Sequence, residues 1–75
     1  MEKVDRRVKR TEQLLQQALI DLTLEQGYEA VTIREITERA DVGYATFFRH
    51  YPDKESLLAD VLKGMKDSFI QLLTP

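Results

Sequence analysis

The fold is decided by residues 40–54, which read ADVGYATFFRHYPDK. A tight turn at residues 41–43 opens a short helical segment that Pro52 must end, because proline clashes inside a helix and disfavours helical geometry at the preceding residue. The helix between the turn and the proline has room for only about two turns. A short helix that follows a tight turn is typical of the second helix of a helix-turn-helix.

Two helical patterns precede this segment, at about residues 11–26 and 32–40. The first ends before Gly27, a residue type that commonly follows a helix end in the left-handed conformation. In the second, Thr32 and Glu35 have the T-x-x-E spacing of a capping box. Apolar residues recur at helical spacing in both patterns, and we expect them to face the core: Leu14, Leu15, Ala18, Leu19 and Leu22 in the first, and Ile33, Ile36 and Ala40 in the second.

A fourth helix follows Pro52, with Asp53 as its expected N-cap. Gly64 weakens its interior by roughly 1 kcal/mol relative to alanine. We expect three shorter helices to leave the apolar residues of its second half uncovered: Met65, Phe69, Leu72 and Leu73. The predicted fold is therefore all-α, a small homeodomain-like bundle of four helices that contains a helix-turn-helix, with helix four partly uncovered.

Charge is distributed unevenly along the chain. The net charge is −2, yet five of the eleven Lys and Arg residues lie in the first ten positions: Lys3, Arg6, Arg7, Lys9 and Arg10. A second, looser group comprises Arg34, Arg39, Arg49 and Lys54. Clustered cations can attract phosphate even on an acidic chain. We therefore interpret residues 1–10 as a basic N-terminal arm, although a frayed, solvated terminus would have the same composition.

Composition argues against several classes of function. The chain has no cysteine and one histidine, and it contains neither EF-hand nor zinc-site spacing. No apolar run is long enough to span a membrane. A chain of 75 residues also offers little volume to enclose a substrate. We therefore expect no enzymatic activity, no metal or cofactor and no membrane association, and the absence of cysteine fits an intracellular protein.

A helical wheel divides the third helix into two faces. Phe47 and Tyr51 fall together and are expected to point into the core. The other side chains lie outward or near the core edge: Tyr44, Ala45, Thr46, Phe48, Arg49 and His50. An outward Arg49 suits a guanine or a phosphate, and Thr46 suits a thymine methyl group or a phosphate. An ordinary solvated helix face remains the alternative.

Residues 27–36, GYEAVTIREI, together with residues 40–54 resemble the N-terminal DNA-binding domain of the tetracycline-repressor (TetR) family of transcriptional regulators. The resemblance covers about Thr11 to Leu62, and residues 46–54 are its most specific part. It implies a sequence-specific DNA-binding domain at residues 11–63 that reads the major groove with the helix at about residues 44–50. The resemblance further implies that such a protein acts as a repressor and that its location is the bacterial cytoplasm.

The wheel and the resemblance together give ten candidate DNA-binding residues: Thr32, Arg34, Gly43, Tyr44, Ala45, Thr46, Phe48, Arg49, His50 and Lys54. By resemblance, Thr32 meets a phosphate at the start of the second helix, and Arg34 reaches a base. Lys54 would hold a phosphate at the start of the fourth helix, where free backbone N–H groups assist it. A surface charge at Lys54, and a His50 hydrogen-bonded within the protein, are the alternatives.

Three positions depart from the family pattern. Phe48 replaces a tyrosine whose hydroxyl bonds a phosphate, so that contact is missing. Gly43 replaces the usual Ser or Thr and leaves only its backbone N–H for DNA. Asp41 replaces a common glycine in the turn, and aspartate tolerates the left-handed conformation better than most residues. We expect altered backbone contacts rather than loss of DNA binding.

The resemblance also implies partners. An intact regulator is expected to be a homodimer on a palindromic double-stranded operator, with a small-molecule inducer bound by a C-terminal domain. Residues 64–75 are interpreted as leading towards that domain, which these 75 residues lack, so the chain is expected to be a fragment that forms a monomer or weak dimer. The rival hypothesis is a helical protein-interaction module that binds through the apolar stripe of helix four and never touches DNA. The net charge of −2 favours it.

Overall fold

The structure, a computed structural model, describes residues 6–73, apart from the side chains of residues 68–71. Its elements are α1 (Arg6–Gln26), α2 (Ile33–Ala40), α3 (Tyr44–His50) and α4 (Lys54–Leu73), with a short 3-10 turn at Tyr28–Ala30 between α1 and α2. The described residues include no strand. The predicted all-α bundle of four helices is confirmed.

The start of α1 differs from the prediction. The helix begins at Arg6 rather than at Thr11. A periodic spacing of apolar residues is expected only where a helix packs against the core. Residues 6–10 are exposed and lack this spacing. Their arginines and lysine nevertheless favour helix. Half of the expected basic arm is therefore the exposed first turn of α1, and residues 1–5 lie outside the described part of the chain.

The core lies where α1, α2 and the start of α4 meet around α3. Its fully buried large side chains are Phe47, Leu15, Leu19, Ile36, Leu57 and Val31. Leu14 departs from the prediction, since 42% of it is exposed. The buried side of α1 is defined by Leu15, Ala18, Leu19 and Leu22, and Leu14 points about 100° away from Leu15, at the edge of that side. Leu15 takes the inward position.

Both predicted side-chain caps form. The Thr32 hydroxyl oxygen accepts a hydrogen bond from the Glu35 backbone N–H at 3.1 Å, and Glu35 Oε1 accepts from the Thr32 backbone N–H at 3.0 Å. At α4, Asp53 Oδ1 accepts from the Ser56 backbone N–H at 2.7 Å, and hydrogen bonding from Ser56 lowers the pKa of the Asp53 carboxyl group. Helices α2 and α4 therefore begin where the sequence predicts.

The turns use the residues that the sequence singled out. Asp41 adopts the left-handed conformation, with φ 57° and ψ 44°. Gly27 also has a positive φ of 85°, but its ψ of 147° is extended rather than left-handed helical, a conformation open almost only to glycine. Gly43 is the N-cap of α3 and contributes no side-chain hydrogen bond. A side chain there would bring its Cβ within 3.3 Å of Thr46 Oγ1.

A partly buried polar network fixes the end of α3. The Tyr51 hydroxyl donates to Asp60 Oδ2 at 2.6 Å, and Gln16 Nε2 donates to the same carboxylate oxygen at 3.1 Å. Burial, and then the hydrogen bond to Asp60, raises the pKa of the Tyr51 phenol, so this hydroxyl remains a donor. The network joins α3 to both long helices and holds the short helix in one orientation.

Candidate DNA-binding surface

The turn that joins helices α2 and α3 is braced by backbone hydrogen bonds. The Val42 backbone N–H donates to Thr37 O at 2.9 Å, and the Asp41 N–H donates to Glu38 O at 3.2 Å. Beyond the turn, the Thr46 N–H donates to Gly43 O at 3.0 Å. Since these bonds satisfy the backbone locally, α3 leaves α2 in a defined direction, as a helix-turn-helix requires.

The two faces of α3 are those that the wheel predicts. Phe47 is fully buried and Tyr51 nearly so. Ala45 and Arg49 are exposed, and Thr46 is half-buried. Tyr44 and Phe48 remain 50% and 44% exposed, unusually high fractions for aromatic side chains. The helix thus buries one ring and presents aromatic, small and cationic side chains to solvent.

Arg34 connects α2 to this exposed face. Its guanidinium carbon lies 5.4 Å from the centroid of the Tyr44 ring, within cation–π range. Tyr44 in turn meets Phe48 edge to face, with 5.4 Å between ring centroids, and Phe48 meets Phe47 in the same way at 5.2 Å. We call Tyr44 and Phe48 the aromatic pair. Arg34 and this pair form one continuous surface across both helices.

Arg39, in contrast, is committed to an ion pair. Its two terminal nitrogens donate to the two carboxylate oxygens of Glu25 at 2.7 and 2.8 Å. These hydrogen bonds lower the pKa of Glu25 and raise that of Arg39. Within the described part of the chain, neither Arg34 nor Arg49 forms an ion pair. Arg34 and Arg49 are therefore open to an external anion at the helix-turn-helix.

Thr32 and His50 are both engaged within the protein. Besides capping α2, the exposed Thr32 hydroxyl donates to Glu35 Oε1 at 3.1 Å. His50 Nδ1 lies 3.2 Å from Glu12 Oε2, and its side chain is only 12% exposed. Of the two interpretations of His50, the structure shows the internal hydrogen bond.

Lys54 is also held internally, which its sequence position did not predict. Its Nζ donates to the backbone carbonyl oxygens of Tyr28 and Val31, both at 2.9 Å. The ammonium group also lies 4.1 Å from the centroid of the Tyr28 ring, whose hydroxyl donates to Glu55 at 3.0 Å. Lys54 therefore fastens the start of α4 to the turn that precedes α2. We call these contacts of Lys54 the lysine clamp.

Comparison with known families identifies this arrangement. A sequence model described as "Bacterial regulatory proteins, tetR family" matches residues 14–61, from the third turn of α1 to the second turn of α4. The chain belongs to the TetR family. The TetR match includes all of the helix-turn-helix, the aromatic pair and the lysine clamp. The chain thus carries the DNA-binding domain of a TetR-family transcriptional regulator.

Individual relatives of the chain are also HTH-type transcriptional regulators. The chain is 40% identical to the uncharacterized HTH-type transcriptional regulator YxbF of Bacillus subtilis. The match extends over 72 residues, which are 95% of this chain and 19% of that protein. The chain is 38% identical over 69 residues to the HTH-type transcriptional regulator TcmR of Streptomyces glaucescens, covering 91% and 30%. A shorter match, 44% over 45 residues, is to the HTH-type transcriptional repressor KstR of Rhodococcus jostii, covering 60% and 21%. No solved structure matches the chain.

The TetR domain also has an apolar surface away from α3. A groove of about 210 Å³ runs between α1 and α4, and its lining is almost entirely apolar: Leu19, Ile20, Thr23, Leu24, Leu58, Val61, Leu62 and Met65. Leu62 and Met65 are each 53% exposed. Farther along α4, Leu72 and Leu73 are exposed too, whereas the side chain of Phe69 lies outside the described residues. The prediction that helix four is partly uncovered is confirmed.

Between residues 6 and 73, no helix is both long enough and apolar enough to cross a bilayer. The same residues include no cluster of three or more side chains suited to hold a metal ion.

Proposed function

We propose that this TetR-family domain reads a double-stranded operator by placing α3 in the major groove, and that the regulator containing it is a cytoplasmic repressor. The observation that carries the proposal is the two-faced character of α3. The fully buried Phe47 holds the helix against the bundle, while Tyr44, Ala45 and Arg49 project outward. A helix inserted in the groove must protrude from a rigid platform in this way.

Base contacts are proposed for side chains whose outer atoms are exposed. Arg34 and Arg49 can each donate two hydrogen bonds to the O6 and N7 atoms of a guanine. Tyr44 offers a hydroxyl at the N-terminal end of α3, where a recognition helix approaches the bases. Ala45 and Thr46 permit close approach there. Specificity is proposed to come mainly from Arg34, Tyr44 and Arg49.

Backbone contacts are proposed for four other positions. The Gly43 N–H lies at the start of α3, and the Thr32 hydroxyl lies at the start of α2, where it can turn from Glu35 to a phosphate. His50 ends α3 and places Nδ1 beside Glu12, so the other ring nitrogen, Nε2, is the atom proposed for a phosphate. Lys54 uses two of its three N–H donors in the lysine clamp, which leaves one for a phosphate. Such contacts fix the register of the helix without reading sequence.

The test is selection of binding sites from random duplexes, followed by affinity measurements on every single-base variant of the selected site. Arg34→Ala is expected to relax preference at one or two base pairs by about tenfold, since a bidentate base contact contributes roughly 1–3 kcal/mol of discrimination. Arg39→Ala is the matched control. It removes the same side chain from the same helix, but Arg39 is paired with Glu25, so base preferences are expected to persist.

Salt dependence distinguishes this function from its rival. Binding that neutralises phosphates weakens steeply as salt is added, with a slope in log units near the number of phosphates contacted. Failure to select any duplex, or affinity that is independent of salt, would contradict DNA binding. An identical loss from Arg34→Ala at every base pair would reassign Arg34 to the DNA backbone.

Assembly into a homodimer on a palindromic operator is proposed for the complete regulator, with a small-molecule inducer bound outside this domain. The chain spans only 19% and 30% of the two relatives that it matches over most of its length. Paired recognition helices must be held about 34 Å apart. The exposed apolar residues of α4 are interrupted by Lys66 and Asp67, both exposed. Among the described residues, these two charges divide the apolar surface that α4 offers for self-association.

The 75-residue chain alone is accordingly expected to be a monomer, or at most a weak dimer, at micromolar concentration. Without a firm link, the second half-site is no longer bound at high effective concentration, so the spacing between half-sites should matter little. Sedimentation and a series of operators with altered spacing measure both properties. A tight dimer with a sharp spacing optimum would show that α4 carries the dimer contact by itself.

The rival function, a protein-interaction surface, is favoured by the net charge and by one feature of the structure. The groove between α1 and α4 is apolar and open, and the Thr23 hydroxyl within it is buried without a hydrogen-bond partner among the described residues. Exposed apolar surface of this kind commonly marks a protein contact. The groove lies on different side chains from the DNA-binding candidates, so one chain can carry both functions.

A further inference from the structure

The aromatic pair presents a feature that hydrogen bonding to DNA does not explain. Phe48 is 44% exposed on a face otherwise suited to charged and polar contacts, yet its ring has no donor or acceptor. It therefore cannot bond a phosphate or the polar edge of a base. Covering its exposed carbon atoms with an apolar group would remove them from water, which is favourable.

Phe48 is also held in a fixed position. Its ring makes edge-to-face contacts with Tyr44 and Phe47 at 5.4 and 5.2 Å, and Phe47 is fully buried. A ring supported on two sides loses little conformational freedom when a third surface covers it. The guanidinium group of Arg34 lies over the Tyr44 ring and makes that part of the surface cationic. Phe48 is the apolar part of the surface next to it.

Only one base offers an apolar group in the major groove of unmodified DNA, and that group is the C5-methyl of thymine. We propose that Phe48 is a specificity-determining residue that reads the methyl group of one thymine in each half-site. Ala45, one turn earlier and exposed, extends the apolar surface beside it. This inference rests on the proposed function, because it requires α3 in the major groove.

The experiment removes the methyl group and nothing else. Each thymine of the selected operator is replaced in turn by deoxyuridine, which pairs identically with adenine. Affinity is expected to fall about fourfold at one thymine per half-site, the ratio that corresponds to one methyl group leaving an apolar contact. The other thymines of the same duplex are the internal control, and uracil at those positions should change affinity little.

Substitution of Phe48 identifies the residue responsible. Phe48→Ala is expected to bind the thymine and uracil operators equally, because the variant has lost the surface that covers the methyl group. Phe48→Leu keeps a larger apolar side chain than Phe48→Ala, so it is expected to retain part of the discrimination between thymine and uracil. Arg49→Ala is the matched control from the adjacent position of α3, and it should weaken binding while keeping the full discrimination between thymine and uracil.

Two results would overturn the inference while leaving DNA binding intact. One is a selected operator whose affinity is unchanged by uracil at every position, and the other is a Phe48→Ala variant that discriminates as well as the unsubstituted protein. The uracil scan on the unsubstituted protein requires no variant, so it decides even if Phe48→Ala lowers stability. Failure to select any operator would contradict the proposed function itself and the inference with it.

Discussion

Replacing Phe47 with alanine is expected to lower the free energy of unfolding by about 3–5 kcal/mol, which is the usual cost of truncating a buried phenylalanine. Phe47 is fully buried and contacts the rings of Phe48 and Tyr51. Small domains are stable by only several kcal/mol, at about 0.05–0.15 kcal/mol per residue, so the variant should be largely unfolded at 37 °C. Denaturant unfolding followed by circular dichroism measures the change.

Arg49→Ala is the matched control for this prediction. Arg49 lies two residues farther along the same helix, is exposed and forms no ion pair within the described residues. Its removal should leave the free energy of unfolding within about 0.5 kcal/mol of the original value. Equal destabilisation by the two substitutions would mean that the inner and outer faces of α3 have been assigned incorrectly.

Replacing Lys54 with methionine is expected to lower the free energy of unfolding by about 2–3 kcal/mol. Methionine keeps most of the aliphatic stem but removes the ammonium group that donates to Tyr28 O and Val31 O and lies against the Tyr28 ring. Hydrogen bonds from a charged donor contribute about 1.5–3 kcal/mol, and the Val31 carbonyl would lose its cationic partner. Thermal and denaturant unfolding report the loss.

Lys63→Met controls for the removal of one positive charge from α4. Lys63 is exposed on the same helix, so its replacement should change stability by less than about 0.5 kcal/mol. A Lys54→Met variant as stable as Lys63→Met would show that the lysine clamp contributes nothing to folding. The proposed phosphate contact is measured separately, because its loss should reduce the slope of DNA affinity against salt by about one unit.

The sequence by itself determined where most helices begin and end. Thr32, Asp53 and Pro52 act on backbone groups within about one turn of themselves, and so do the turn residues Asp41 and Gly43. Their effects can be read from local spacing, which is why the helix-turn-helix was predicted correctly. The separation of Phe47 and Tyr51 from the outward face of α3 follows equally directly from the helical period.

Only the tertiary structure decided which polar side chains point towards the protein. Lys54 lies 23 residues from Val31, and His50 lies 38 residues from Glu12, so no local spacing links either pair. The resemblance predicted a phosphate ligand at Lys54, and local position alone cannot show that two carbonyl oxygens lie within reach of its ammonium group. The extension of α1 back to Arg6 was missed for a related reason, since exposed helical residues need no apolar period. A local pattern specifies backbone conformation, whereas the partners of a long side chain depend on how the helices pack.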